Sequence, residues 1–428
     1  MSDIKQRTVA IVGAGPAGLF AAETLLAKGF AVALYDRMPS PGLKFLLAGN
    51  SGGLNLTNAL GKDEFASRYG ENRDRFERFL TGFSPDDLVA WLSSLGVSTR
   101  RGSGGKVFPD GVDAACLLAR WMDRLRANPF FSFHPGHRLV HIVPPRSLSF
   151  DVEGKTIVTT PDAVILALGG ASWPATGSDG AWREILAACG VAIAPFRPAN
   201  CGFEADWPTA LKERFAHVPL KNVRVSIASA DAPSARGELT LTPYGIEGGP
   251  LYALGAAIRD EIERSGTCEI RIDLSPDLSR EAIAARLSGG PGKESLSNFF
   301  RKRLGLSGAV FALLRHGAER SNAASSRVLG DSAQALRDPE VASSLVKGLP
   351  LALYRPRPIE EAISTAGGVS FSEIDDALML RRLPGIFFAG EMLDWEAPTG
   401  GFLLQGCFST GYRAALGVEA FFRHGPSA

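Results

Sequence analysis

The sequence predicts an α/β fold in which one nucleotide-binding domain is assembled from both ends of the chain, around a middle of different texture. Two observations carry this. Residues 8–36 read as strand, glycine-rich turn, helix and a second strand ending in an acid. Residues 383–422 read as a short apolar strand ending in Gly-Glu, then a paired-glycine turn and a long helix.

Thr8 to Val12 is a β-branched and apolar run, as expected of a parallel strand buried on both faces. It leads into Gly13-Ala14-Gly15-Pro16-Ala17-Gly18, with helical spacing through Leu19, Ala22, Leu25 and Leu26. A second strand, Ala31 to Tyr35, ends at Asp36. This is the order of a Rossmann-type turn. Gly13 permits the bend, Gly15 admits a pyrophosphate to the backbone, and Gly18 lets helix and strand pack closely. Pro16 falls in the first helical turn, where no N–H is needed. The phosphates would rest on the positive end of that helix. Asp36 is placed to bind a ribose, and its charge disfavours the 2′-phosphate of NADP.

The C-terminal pattern separates FAD from NAD. Leu383 to Glu391 reads as turn, buried strand and Gly390-Glu391. Pro398-Thr399-Gly400-Gly401 then precedes a helix from about Phe402 to Phe422. In flavoproteins of this general fold such an acid approaches the ribityl or pyrophosphate region. The following helix points its N-terminus at the flavin and stabilises the negative charge of the reduced ring. The two ends together predict FAD.

Composition sets the outer bounds. A chain of 428 residues suits two or three domains. Lys+Arg 46 against Asp+Glu 45 leaves a net charge of +1, so neither a nucleic acid nor an anionic membrane is the expected partner. Five cysteines, with no C-x-x-C pair, exclude a dithiol motif and suit a reducing cytoplasm. Lys5 and Arg7 before the apolar stretch Val9–Ala27 imitate a secretory signal, but Gly13, Gly15, Pro16, Gly18 and Glu23 interrupt it. No other apolar run reaches the ~20 residues that span a bilayer. His134, His137 and His141 lie close in sequence, but Pro135 and Gly136 keep the first two from aligning on a helix; no metal is expected.

Eight ordered blocks carry a resemblance that runs nearly end to end. They are Gly13 to Gly18, Gly42-Leu43-Lys44, Asn55-Leu56-Thr57-Asn58, Val107-Phe108-Pro109, Ala167-Leu168-Gly169-Gly170, Pro243-Tyr244-Gly245-Ile246, Thr365-Ala366-Gly367-Gly368-Val369, and Ala389-Gly390-Glu391 with Gly400-Gly401. With these the chain resembles the bacterial aminoacetone-oxidase-like family of FAD-binding flavoproteins, which includes enzymes assigned to bile-acid reduction. The resemblance implies a Rossmann-type FAD-binding domain split by an inserted β-barrel-like domain and a small helical domain. The boundaries expected are 1–195 plus 356–428 for the FAD domain, 196–278 plus 349–355 for the barrel, and 279–348 for the helices. The texture agrees: alternating segments such as Val223–Ile227 and Glu238–Leu241 follow Pro195, and a helical, charged stretch runs from about Ser279 to Gly348. Gly53 and Leu54 depart from the family pattern, which has Arg and Cys in that loop, and Pro243 stands where many members have His.

A bound flavin performs the hydride chemistry, so the chain need supply only binding, orientation and electrostatics. Cofactor contacts are expected from Gly13, Ala14, Gly15, Pro16, Ala17, Gly18, Asp36, Arg37 and Lys44 near the first turn. Asn55, Thr57, Asn58, Ala167 and Gly169 follow, and Gly390, Glu391, Gly400, Gly401, Phe402 and Leu403 complete the set. Lys44, in the loop after the second strand, can pair with phosphate or reduced flavin, or simply be solvated. Tyr244 is either a substrate-facing hydroxyl at the barrel–FAD interface or a packing residue. Trp395 and Gln405 flank the presumed flavin-facing turn as weaker candidates. No second strand–G-x-G-x-x-G–helix exists, so NAD(P)H would dock transiently, without its own Rossmann domain. The expectation is an FAD-dependent oxidoreductase acting on a small organic substrate, as oxidase or NAD(P)H-dependent reductase. The alternative is a non-enzymatic FAD-bound redox sensor or scaffold with a protein or RNA partner, for which Arg301-Lys302-Arg303 gives slight support. Substrate and oligomeric state are left open.

Overall fold

The computed structural model describes residues 7–50, 53–206, 208–228, 233–324 and 332–424. The chain divides into two compact units, residues 1–199 with 359–428 and residues 200–358.

The first unit is built on a five-stranded parallel sheet. Strand β1 (Thr8–Val12) lies between β2 (Ala31–Tyr35) and the strand Ala163–Leu166. The strand Phe131–His134 extends the sheet beyond β2, and Ile386–Phe388 extends it on the other side. Val9 to Val12 and Ala163 to Leu166 are all buried, which explains their uninterrupted apolar sequence. Helix α1 (Pro16–Ala27) follows β1, with Pro16 in its first turn as expected. Against it packs the C-terminal helix Phe402–His424, so closely that a Cβ on Gly411 would stand 2.4 Å from the Ala17 carbonyl oxygen. Both ends of the chain therefore form one core.

Two segments read as loops have regular structure. Lys44, expected in the loop after the second strand, is instead the second residue of helix α2 (Leu43–Asn50), which starts directly after Gly42 at φ +65°. Thr57–Asn58 forms a short strand, β3, antiparallel to Lys106–Pro109. Ser51 and Gly52, in the loop where the family pattern changes, lie outside the described residues. Elsewhere in this unit, an antiparallel pair, Ile193–Ala199 with Ser364–Val369, joins the two stretches of chain. Gly367 at φ +86° and Gly368 at φ +137° sit there because a Cβ on either would meet backbone, the Pro195 oxygen at 2.2 Å or the Met392 oxygen at 2.4 Å.

The second unit contains a closed six-stranded barrel, in the order Phe203–Ala205, Gly245–Gly248, Ser234–Leu241, Pro219–Ile227, Cys268–Asp273, Leu349–Pro356. Closure leaves it without sheet edges. Between its last two strands the chain makes helices, among them Arg280–Leu287, Leu296–Leu304, Gly308–Ala324 and Pro339–Lys347. The barrel and helical texture expected between the two FAD-domain segments is thus what the chain forms. Among the described residues no helix is long and apolar enough to cross a membrane.

Candidate functional site

The glycine turn opens onto a cavity of about 360 Å³ in the first unit, a size suited to part of an extended dinucleotide. Gly13, Gly15, Pro16, Ala17, Asp36, Arg37, Lys44, Ala167, Gly169, Gly390 and Glu391 all line it. The three glycines of the turn do different work. Gly13 has φ +108°, and its missing Cβ would fall 2.1 Å from the Ala167 carbonyl oxygen. On Gly18 a Cβ would fall 1.9 Å from the Gly13 oxygen, so this glycine sets how closely helix and strand approach. Around the Cβ position of Gly15 nothing lies within 4 Å; its face is open, as a backbone cradle for phosphate requires.

Asp36 holds this turn. Its Oδ2 accepts the Ala14 N–H at 2.6 Å and its Oδ1 accepts the Met38 N–H at 2.8 Å. Ala14 therefore supports the site from behind rather than lining it. Burial raises the Asp36 pKa above the usual aspartate value; the Met38 and Ala14 amides and the Arg37 charge pull the other way. The guanidinium of Arg37 is paired with Asp179 across the cavity and also reaches the Pro174 carbonyl at 3.5 Å.

Beneath the turn lies an ionic network. Lys44 Nζ donates to Glu391 Oε2 at 2.7 Å and to Ser172 Oγ at 2.6 Å. Glu391 Oε1 accepts the Thr365 N–H at 3.0 Å, and Thr365 Oγ1 accepts the amides of Ala171 and Ser172. The structure thus brings Lys44 and Glu391 together as a pair. Cys407, on the same cavity wall, has its thiol pushed up to about 12, first by burial and then by the Glu391 carboxylate. Its reactive thiolate is therefore scarce at pH 8. Iodoacetamide at that pH should leave Cys407 unlabelled by peptide mass spectrometry while free cysteine in the same tube is consumed; prompt labelling would contradict this environment.

The residues expected around the flavin form a separate cluster. β3 meets the N-terminus of the C-terminal helix so tightly that a Cβ on Gly401, at φ +99°, would stand 2.2 Å from the Thr57 oxygen. Asn58 Nδ2 donates to the Gly400 carbonyl at 3.0 Å, and Tyr69 Oη donates to the Phe402 carbonyl at 2.8 Å. Neither Gly400, Gly401, Phe402 nor Leu403 lines the cavity at the glycine turn, and neither do Asn55, Thr57 and Asn58. Trp395 is buried and donates from Nε1 to the Gly390 carbonyl at 2.9 Å, so it fixes the strand end rather than presenting a reactive face. Gln405 is likewise buried, donating to the Phe83 carbonyl and Ser409. Tyr244 belongs to the second unit, where its hydroxyl donates to Glu247 Oε2 at 2.6 Å.

Several cavity residues had no signal in the sequence. His137 to Val140 contribute because the backbones of Asp36 and His137 are hydrogen-bonded at 2.9 Å, and the register slips at Val140. Such a bulge turns ladder groups away from their neighbours. Thr176 to Asp179 form another wall, where Ser178 Oγ is buried without a hydrogen-bond partner. Asn55 Oδ1 and Thr57 Oγ1 are also buried and unpartnered. At the cavity, an open phosphate cradle, a buried acid and the orphaned Ser178 hydroxyl fit the polar body of a dinucleotide.

Comparison with known proteins agrees with this geometry. The family profile described as HI0933-like protein Rossmann domain matches residues 7–417. The 3-dehydro-bile acid delta(4,6)-reductase of Clostridium scindens is 26% identical, over 95% of this chain and 97% of that protein. A ribosomal RNA dihydrouridine synthase of Escherichia coli is 23% identical, over 96% of this chain and 97% of that protein. Among solved structures, the 3-ketosteroid-delta4-(5alpha)-dehydrogenase of Rhodococcus jostii shares the fold with a TM-score of 0.51 at 15% identity, covering 97% of this chain and 98% of that one. A Rossmann-type FAD-binding domain, interrupted in sequence by a closed barrel and helices, is the architecture of this chain.

Proposed function

The chain belongs to the HI0933-like Rossmann family, and from that footing we propose that it is an FAD-dependent oxidoreductase that reduces a carbon–carbon double bond conjugated to a carbonyl in a small organic substrate. The cavity at the glycine turn carries the cofactor part of this reading: one open glycine face, one buried acid and one helix N-terminus converge there. The two relatives support the reaction class. A delta(4,6)-reductase of a 3-dehydro-bile acid and a dihydrouridine synthase both saturate a double bond conjugated to a carbonyl. A small substrate is preferred to RNA because the basic run at 301–303 is engaged locally. Lys302 pairs with Glu294 at 2.8 Å, and Arg303 lies over the Phe299 ring.

In this reading Gly13, Gly15 and α1 seat the pyrophosphate, and Asp36 holds a ribose. Lys44 would keep Glu391 oriented for contact with the cofactor, and β3 with Gly400-Gly401, which set the start of the C-terminal helix, would hold its flavin end. Bound FAD supplies the two-electron step. NADH or NADPH, docking transiently, is the proposed electron donor.

The test is anaerobic. FAD-loaded protein is mixed with NADH or NADPH, and the flavin's visible absorbance is followed before adding 2-cyclohexen-1-one or 4-androstene-3,17-dione. Bleaching by one nicotinamide and recovery with an enone is the expected result. A protein that binds no FAD on reconstitution would sink the whole reading; one that is bleached by neither nicotinamide would sink the reductase part.

A further inference from the structure

Residues 169–181 follow the sheet strand Ala163–Leu166 and run along one wall of the cavity at the glycine turn. Neither the glycine motif nor the C-terminal pattern includes their far end. We propose that this segment is a preformed strap for the adenosine half of the cofactor, and that Ser178 is a binding residue within it, its hydroxyl hydrogen-bonding the adenosine. This rests on the FAD reading and is independent of the substrate.

The strap is fixed at several points along its length. At its start the Trp182 indole N–H donates to the Gly169 carbonyl at 2.8 Å. Next, Thr365 Oγ1 accepts the amides of Ala171 at 2.8 Å and Ser172 at 3.1 Å. Trp173 at φ +61° and Gly177 at φ +100° then bracket the short turn Pro174–Thr176. The far end docks on the residues that follow Asp36. Asp179 pairs with Arg37, and a Cβ on Gly177 would stand 2.8 Å from Met38 Cγ. Ser178 lies between these two contacts and lines the cavity. That places it on the side of the acid that holds a ribose, away from the open phosphate face of Gly15, and assigns it to the adenosine half.

The neighbouring polar side chains of the wall are already spent. Thr176 Oγ1 donates to the Trp173 carbonyl at 2.7 Å. Asp179 Oδ1 accepts the Ala181 N–H at 3.1 Å, and its Oδ2 takes Arg37. Ser178, by contrast, is 7% exposed, and its Oγ has no hydrogen-bond partner among the described residues. Gly169 makes room for that hydroxyl, since a Cβ there, at φ +70°, would stand 3.0 Å from Ser178 Oγ. A buried hydroxyl left without a partner costs stability, and such a group in a cavity wall calls for a ligand that completes it. A serine hydroxyl donates one hydrogen bond and accepts others, which suits ribose hydroxyls and the ring nitrogens and amino group of adenine alike.

The test compares flavin-free wild type with Ser178→Ala, titrating FAD, ADP and FMN by calorimetry. FAD and ADP should both bind the variant about tenfold more weakly, by the same factor. FMN, which lacks the adenosine, should bind both proteins alike. Urea unfolding supplies a readout that needs no ligand. The flavin-free variant should have a midpoint at or above that of wild type, because the substitution removes the unpaired hydroxyl and leaves the strap's own contacts in place. A lower midpoint would mark a structural serine and overturn the assignment. So would FAD and ADP affinities within twofold of wild type. FAD weakened with ADP unchanged, FMN weakened by the same factor, or a wild type that binds FAD but no ADP at millimolar concentration would overturn the adenosine half. Each of these leaves FAD binding standing. A wild type that binds neither FAD nor ADP removes the cofactor reading, and Ser178 with it.

Discussion

Gly13→Ala is expected to yield protein that neither retains FAD nor folds with wild-type stability. At φ +108° an L side chain is strained, and the new methyl would lie 2.1 Å from the Ala167 oxygen and 2.6 Å from its carbonyl carbon. Both are backbone atoms at the end of a central strand, with no flexible side chain to move aside. Strain of about 1–3 kcal/mol adds to a similar overpacking penalty of about 1–3 kcal/mol, a large part of a domain's usual margin of about 5–15 kcal/mol. Denaturant unfolding of the flavin-free protein measures it directly. Gly15→Ala is the control, because its Cβ meets nothing within 4 Å. That variant should unfold within about 0.5 kcal/mol of wild type and yet bind FAD more weakly, since the methyl occupies the phosphate's side. Equal stability of Gly13→Ala and wild type would show that the turn is not built as described.

Asp36→Asn should weaken FAD binding by about 10- to 100-fold, read by flavin fluorescence titration, through the loss of charge-assisted hydrogen bonds worth about 1.5–3 kcal/mol each. The amide nitrogen must also face either the Ala14 or the Met38 N–H, donor against donor. The pH dependence has a definite sign. Burial raises the Asp36 pKa, so the folded protein binds this proton more tightly than the unfolded chain does. Protonation then adds stability as pH falls, the reverse of a paired surface carboxylate. Cofactor binding runs the other way: wild-type affinity should drop on acidification, beginning above the ordinary aspartate value, whereas the Asn variant should show no such step. A wild-type affinity flat across that range would remove Asp36 from the site.

The N-terminal elements were legible because each is defined by its own residues. β1, α1 and β2 begin and end where the apolar runs, Pro16 and Asp36 place them. The barrel strands and the C-terminal helix were legible in outline for the same reason. What could not be read were positions set by distant chain. Nothing local announces that Val140 bulges onto the cavity, that Ser178 is buried there, or that Lys44 spends its charge on a residue 347 positions away. Trp395 and Gln405 were drawn toward the flavin by sequence proximity alone, whereas packing puts both in the core. The glycines of Thr365–Val369 could be quoted as a motif, but their reason, two backbone contacts closer than any Cβ allows, appears only in three dimensions.

The pairing of α1 with the C-terminal helix, and of Ala163–Leu166 with Ile386–Phe388, has a consequence during synthesis. The glycine turn leaves the ribosome well before the strand Ile386–Phe388 and the helix that covers α1. At translation rates of about 5–20 residues per second, the N-terminal segment waits roughly 18 to 70 seconds after its own completion for these partners. The barrel and its helices emerge within that interval and can fold while the nucleotide-binding half is still open. A nascent chain stalled before residue 386 lacks both partners and should hold no dinucleotide.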